Sequence, residues 1–282
     1  MNTGATGRAA LALAVPRLRA AGVAEPARDA RLLLAFALGL APDRLTLHLE
    51  DPLLPDGQAR FDAALAAREM RQPLSQIIGT RLFWGRRFTV TPDVLDPRPE
   101  TEILVAAALQ EPFTRVLDLG TGSGAIMLSL LAECPGATGL GVDLSLKALA
   151  VARANAVQLQ LSDRAGFECS DWFDGVAGDF DLIVSNPPYI SDAEMADLAP
   201  ETRQWEPSIA LTPGGDGLAA YRAIAAGVGG VLRPGGRLLL EIGPTQGEAV
   251  AAILQSVALD AIAILPDFDG RPRIVTARCR QR

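Results

Sequence analysis

Apolar residues recur at helical spacing through Arg28-Asp29-Ala30-Arg31-Leu32-Leu33-Leu34-Ala35-Phe36-Ala37-Leu38, and Gly39 then supplies a stop. A second helical pattern runs from about Gly57 to Met70, with Phe61, Leu65 and Met70 on roughly one face; Pro52 and Pro55 separate the two. Nearer the start, the apolar stretch Ala9 to Val15 is cut short by Pro16, Arg17 and Arg19. Residues 1–72 therefore read as a small helical bundle. The pattern changes at 73–97: Ile77-Ile78-Gly79 and Leu82 to Val90 read as short strands with a turn at Gly85, and Pro92, Pro97 and Pro99 punctuate the chain after them. This segment is expected to be a β-hairpin linker.

Residues 98–282 alternate between strand and helix. Strands are predicted at Arg115–Leu119, Gly139–Asp143, Gly166–Cys169, Phe180–Ser185, Arg237–Ile242, Ala261–Leu265 and Arg273–Ala277, with helical stretches between the early ones. Such alternation implies an α/β fold, a doubly wound and mostly parallel sheet with helices on both faces. The last two strands have only Asp267-Phe268-Asp269-Gly270 between them, which reads as a turn, so they are expected to be antiparallel neighbours at one edge.

Composition changes this picture mainly by exclusion. The 282 residues are 49% hydrophobic and 21% charged, an ordinary globular balance with room for two domains. No apolar run reaches the roughly 18 residues of a membrane span, and no small-residue cleavage site follows the N-terminal apolar stretch, so neither a membrane partner nor a signal peptide is expected. Cys134, Cys169 and Cys279 are widely separated and form neither a redox pair nor a zinc spacing, which fits reduced cytoplasmic thiols. His48 and Lys147 are the single histidine and the single lysine. A Ser-His-Asp hydrolase, a multi-histidine metal site and a lysine Schiff base are thereby disfavoured, and no metal is expected. Residues 1–90 carry a net charge of +4 and residues 91–282 a net of −11, which together make the −7 of the chain. The larger part is a poor polyanion binder, so direct nucleic-acid binding is not expected.

Val116-Leu117-Asp118-Leu119-Gly120-Thr121-Gly122-Ser123-Gly124 is a strand running into a glycine-rich turn and then a helix. Glycines let the backbone approach a ligand, and the helix start adds unpaired N–H groups. Gly120-x-Gly122-x-x-Ala125 also fits a dinucleotide fingerprint, and Asp143, closing the next strand, can accept from ribose hydroxyls. These features serve NAD and S-adenosylmethionine alike. Asp118 before the first glycine, and Asp171-Trp172 after the third strand, where an acid and an apolar ring can take an adenine, tilt the balance toward a methyltransferase. Core packing is the competing account of Trp172.

The fourth strand ends in Asn186-Pro187-Pro188-Tyr189 and lies beside the first across the switch point of the sheet. An amide or exocyclic amino nitrogen is a weak nucleophile because its lone pair is delocalised. Two acceptors on its N–H groups favour pyramidalisation as a methyl group arrives. The Asn186 side-chain oxygen is one such acceptor, and the Pro187 carbonyl can be the other. The prolines fix φ and so the carbonyl direction, and Tyr189 can supply a flat wall.

These motifs resemble the bacterial peptide chain release factor N5-glutamine methyltransferases. The resemblance spans nearly the whole chain and rests on Asp96 to Glu102 (D-P-R-P-E-T-E), Leu117 to Gly124, Ser170 to Phe173 (S-D-W-F) and Ser185 to Ile190 (S-N-P-P-Y-I). Glu206 to Leu211, Gly214 to Leu218 and Asp267 to Arg273 support it. It implies a seven-stranded, Rossmann-like class I methyltransferase sheet behind a helical substrate-recognition domain. It also implies a cytoplasmic enzyme that methylates the glutamine of the G-G-Q motif in class I release factors. Carried over, Gly120, Thr121, Gly122, Ser123, Gly124, Asp143, Trp172 and Asn186 contact S-adenosylmethionine, while Asn186, Pro187, Pro188 and Tyr189 hold the substrate glutamine, with Asn186, Pro187 and Tyr189 catalytic. Asp96 departs from the aliphatic residue often found before P-R-P. Glu100 and Glu102 are placed near the site without an assigned role; favouring a helix start explains them as well.

Three other functions compete. An adenine N6 or guanine N2 methyltransferase acting on nucleic acid uses similar motifs, but it must extract a base and grip phosphates, against the acidic charge of this domain. A non-enzymatic cofactor sensor leaves an intact N-P-P-Y without purpose. An NAD-dependent dehydrogenase accounts for the glycine loop and leaves N-P-P-Y unexplained.

Overall fold

A computed structural model describes residues 5–280, which divide into two compact units. The first comprises the described residues up to Gly79 together with Ala199–Trp205; the second comprises Thr80–Leu198 and the described residues from Glu206 onward.

The first unit is helical. Helices α1 (Gly7–Ala20), α2 (Pro26–Leu38), α3 (Pro55–Glu69) and α4 (Leu74–Ile78) bury Ala14, Leu18, Leu33, Leu34, Phe61 and Leu65 in one core. The first helix runs through Pro16 to Ala20. Two sequence expectations change here. Met70 is 68% exposed, because α3 stops at Glu69 and the chain turns before Met70 can share the face of Phe61 and Leu65. Ile77-Ile78-Gly79 is not a strand: Ile77 and Ile78 close α4, and Gly79 caps it in the left-handed region. A two-residue apolar run carries no period, and packing of Ile77 on the helical core decides the conformation. A second chain segment, the short helix Pro200–Trp205, completes the unit. Its Glu201 accepts from Arg68 and Arg71, and Arg68 also holds the buried Asp29 at 2.8 Å.

The second unit opens with a hairpin, β1 (Thr80–Phe83) and β2 (Arg86–Thr89), turning at Trp84 and Gly85. There follow α5 (Glu102–Ala108), β3 (Arg115–Leu119), α6 (Ala125–Glu133), β4 (Thr138–Asp143), α7 (Leu146–Gln158), β5 (Ala165–Cys169) and β6 (Phe180–Ser185). After the excursion through α8 (the Pro200–Trp205 helix) come α9 (Ala219–Val228), β7 (Leu232–Glu241), α10 (Gly247–Gln255), β8 (Leu259–Pro266) and β9 (Pro272–Cys279). The sheet order is β5-β4-β3-β6-β7-β9-β8, with the first five strands parallel. β9 lies antiparallel between β7 and the edge strand β8. All six residues of β6 are buried, as expected of a central parallel strand covered on both faces. The two faces have separate cores, one built with α6 and the hairpin phenylalanines Phe83 and Phe88, the other with α9 and α10. Among the described residues, no helix is long and apolar enough to cross a membrane.

Candidate active site

The chain leaves β3 toward β4 on one side and later returns to place β6 on the other, so the sheet switches direction between β3 and β6. Leu119 pairs with Val142 on β4 and with Ser185 on β6, and Ser185 pairs with Leu240 on β7. Gly120, Asp143, Asn186 and Glu241 each follow one residue later. Four segments far apart in sequence thus end in one row at the carboxyl edge, the usual ligand position of such sheets. The Ser185 hydroxyl donates to Leu119 O at 2.7 Å and ties the two central strand ends together.

A cavity of about 510 Å³ opens over this row, a size ordinary for cofactor sites. Gly120, Thr121, Gly122, Ser123, Asp143, Trp172, Asn186 and Pro188 line it. Gly124, Pro187 and Tyr189 do not. Gly124 caps the start of α6 instead, and Tyr189 packs against the α9 core while its carbonyl accepts from Gln246 at 2.8 Å.

The glycine turn requires its glycines: Gly120, Gly122 and Gly124 all have positive φ. Asp143 fastens the turn, with Oδ2 accepting from Gly122 N at 2.9 Å and Oδ1 from Ser145 N at 2.8 Å. Burial pushes the Asp143 carboxyl above its ordinary range even against these bonds. Asp118 sits beneath the turn, fully buried, and accepts from the Thr121 hydroxyl at 2.7 Å. Burial pushes it up to about 7. It does not line the cavity and acts on it through Thr121. Trp172 does two things: part of its ring packs on the core cluster, and part faces the cavity beside Asp171.

The segment after β6 is held by close backbone approach. Ile190 N donates to Leu211 O, and Gly217 lies so near the Tyr189 carbonyl that a Cβ there would meet it at 2.4 Å. Asp96 is accommodated by Arg81, 3.5 Å away, while its N–H donates to Glu206. Glu102 starts α5 and accepts from the Trp84 N–H at 2.7 Å, which fixes the hairpin turn; neither it nor Glu100 lines the cavity.

Sequence reasoning passed over Thr101, between those two acids. Thr101 lines the cavity and accepts from Asn186 Nδ2 at 3.2 Å. It also passed over Glu241, 1% exposed, which closes β7 in the terminal row beside Asn186. The available signal for Glu241 was an acid directly after the apolar run Leu238–Leu240.

Comparison with known proteins identifies the lineage. Residues 9–79 match the family described as PrmC N-terminal domain, and residues 94–218 the one described as methyltransferase small domain. The release factor glutamine methyltransferase of Cereibacter sphaeroides is 62% identical over 95% of this chain and 97% of its own length. That of Rhodospirillum rubrum is 47% identical over 94% and 82%. Among solved structures, a Pyrococcus furiosus methyltransferase superposes with a TM-score of 0.52 at 16% identity, covering 69% of this chain and 89% of its own. The Thermus thermophilus 16S rRNA N2 methyltransferase, solved with AdoMet and guanosine, gives 0.51 at 22% identity, covering 71% and 50%. These two likenesses establish the Rossmann-like methyltransferase fold. With relatives this similar along nearly the whole length, the chain belongs to the release factor glutamine methyltransferase family.

Proposed function

We propose that this protein transfers a methyl group from S-adenosylmethionine to the side-chain N5 of the glutamine in the G-G-Q motif of class I peptide chain release factors. The observation that carries the proposal is the row at the carboxyl edge of the sheet. Asn186, a neutral acceptor suited to an amide N–H, stands one strand from Gly120 and two from Asp143, on the lip of the same cavity.

The residues present fit the cofactor. Asp143 offers carboxylate lone pairs at a strand end, where ribose hydroxyls can donate. Trp172 offers an apolar face for a base, and the glycine turn lets main-chain atoms come close. When bound, S-adenosylmethionine supplies an electrophilic methyl group on a sulfonium. The protein's part is to hold the glutamine nitrogen in line with that methyl group. Asn186 Oδ1 and the Pro187 carbonyl each take one N–H of the amide. This draws the lone pair out of conjugation and stabilises the positive charge that develops on nitrogen. No side chain is needed to remove a proton early, because the nitrogen becomes strongly acidic only once alkylated.

The helical unit, nearly neutral where the rest of the chain is acidic, is the natural reader of the release factor. The site of action is the cytoplasm, where release factors work and where three unpaired thiols stay reduced. The test is mass spectrometry of a class I release factor after incubation with enzyme and cofactor, with DNA and RNA incubated alongside. A gain of one methyl on the G-G-Q glutamine is expected. Labelled nucleic acid with unmodified release factor would overturn the proposal.

A further inference from the structure

We propose that Gln246 is a positioning residue whose side-chain amide fixes the main chain at Tyr189 and so aims the acceptors of Asn186-Pro187-Pro188-Tyr189. The inference rests on the reading proposed above, in which that segment presents acceptors to the methyl-accepting nitrogen.

The segment has to be held from outside. Its upstream end is fixed by β6, where Ser185 pairs with Leu119 and Leu240. Pro187 and Pro188 follow, and proline has no N–H, so neither can donate to a neighbouring chain. Their fixed φ angles also leave little slack, and a tilt at Tyr189 is carried back to the Pro187 carbonyl. The downstream end therefore decides where that carbonyl points. There the Tyr189 carbonyl accepts from Gln246 Nε2 at 2.8 Å, and Ile190 N donates to Leu211 O. Gln246 does not line the cavity and acts on it through Tyr189.

A side-chain amide has one accepting end and one donating end. At Gln246 both ends meet main-chain groups that have a single role. Oε1 accepts from Gly243 N at 3.0 Å, and a backbone N–H can only donate. Nε2 faces the Tyr189 carbonyl, which can only accept. A flipped amide would set donor against donor and acceptor against acceptor. The Tyr221 hydroxyl, which donates to the Glu241 main-chain carbonyl at 2.9 Å, lies 3.4 Å from the same Oε1. The Gln246 main-chain N–H donates to Gly243 O at 3.1 Å, so the turn leaving β7 is closed twice before α10 begins.

Two glycines clear the space for this amide. A Cβ at Gly217 would meet the Tyr189 oxygen at 2.4 Å and Gln246 Nε2 at 3.0 Å, and one at Gly243 would meet Gln246 Oε1 at 3.0 Å. The residue type fits the task as well. An ionised glutamate cannot donate, lysine and arginine cannot accept, and asparagine is a methylene shorter. Glutamine accepts from one turn and donates to the other.

The experiment compares wild type, Gln246→Glu, Gln246→Met and Asn186→Ala, with urea midpoints to check folding. It measures kcat and KM for release factor methylation between about pH 5 and 8, a range that spans the raised value of a partly buried carboxyl. S-adenosylhomocysteine affinity is measured by calorimetry. At the alkaline end Gln246→Glu should lower kcat roughly tenfold to a hundredfold, the scale of a misplaced catalytic group, with S-adenosylhomocysteine affinity within about twofold of wild type. As pH falls, the introduced carboxyl gains a proton that it can donate to the Tyr189 carbonyl, so the ratio of variant to wild-type kcat should rise. Glu241, Arg273, Arg98 and Glu100 act on Tyr189 in both proteins, and division by wild type removes their own titration. Gln246→Met, of similar length and without hydrogen bonds, should lose kcat across the range and show no such rise. Wild-type kcat in either Gln246 variant overturns the assignment. So does a folded Gln246→Glu whose ratio is flat in pH, or a loss of S-adenosylhomocysteine affinity as large as the loss of kcat. Should Gln246→Glu not fold, Gln246→Met decides by its kcat and its S-adenosylhomocysteine affinity. In each of these failures an inactive Asn186→Ala leaves the acceptor reading standing. An active Asn186→Ala, or a wild type that methylates no release factor, overturns both.

Discussion

Asp143 spends both carboxylate oxygens on the turn it faces, binding Gly122 N and Ser145 N. Its replacement loosens the glycine turn and removes the acceptor proposed for the ribose hydroxyls. Asp143→Ala should weaken S-adenosylhomocysteine binding by about 1.5–3 kcal/mol, the worth of hydrogen bonds to a charged group, which calorimetry reads as a tenfold or greater loss. Asp118 and Glu241 carry a different consequence. Burial raises both to about 7 from ordinary values of 3.8 and 4.5. Between about pH 4 and 7 the folded protein keeps protons on these groups that the unfolded chain has released. By linkage their contribution to stability falls as pH rises through that window. Asp118→Asn should flatten this dependence, seen as a denaturation midpoint that changes less between pH 4 and 7 than in wild type. Gly120, Asp143 and Asn186 were legible in the sequence because each belongs to a short run whose spacing has a chemical reason. Thr101 and Glu241 were not: Thr101, in the turn before α5, reaches Asn186 by a hydrogen bond, and Glu241 joins its row by strand order. One lies 85 residues before it in the chain, and no local pattern encodes the encounter.

At the level of elements, the central strands were the most readable part. The short stretches Val116–Leu119 and Phe180–Val184, apolar but for Asp118 and Asp181, are buried and bounded by turn residues, and no helix competes for so short a pattern. The errors came where the local signal was brief. Ile77 and Ile78 have β-branched side chains, yet they close a helix because the helical core lies alongside. Loops are harder still, and the one after β6 depends on Gly217, whose φ is +77° and whose missing Cβ leaves room for the Tyr189 carbonyl. Gly217→Ala combines left-handed strain with that collision and should displace the segment carrying Asn186 to Tyr189. We expect kcat to fall about 10²-fold, as for an ångström-scale misplacement, while S-adenosylhomocysteine still binds. Calorimetry and turnover on the same preparation check it, and an alanine variant with full turnover would refute the role.

At the scale of the whole molecule, the division into a helical bundle and a doubly wound sheet could be read from the change in period along the chain. The membership of Ala199–Trp205 could not. Its Glu201 finds Arg68 and Arg71 some 130 residues earlier, and burial of that carboxylate is outweighed by the two arginines, which hold it below its ordinary range. The helical unit is therefore assembled from two separate stretches of chain, and this bears on how such proteins can be recombined. A cut after Gly79 does not yield an interchangeable cassette, because it leaves behind the strap that completes the bundle. The fragment 1–79 should unfold more easily than the same fragment joined by a flexible linker to 199–205, by about 1.5–3 kcal/mol for the charged hydrogen bonds restored; equal urea midpoints would contradict this. Grafting one relative's recognition unit onto another's catalytic sheet would then demand a double transplant, with the short strap travelling alongside the amino-terminal helices.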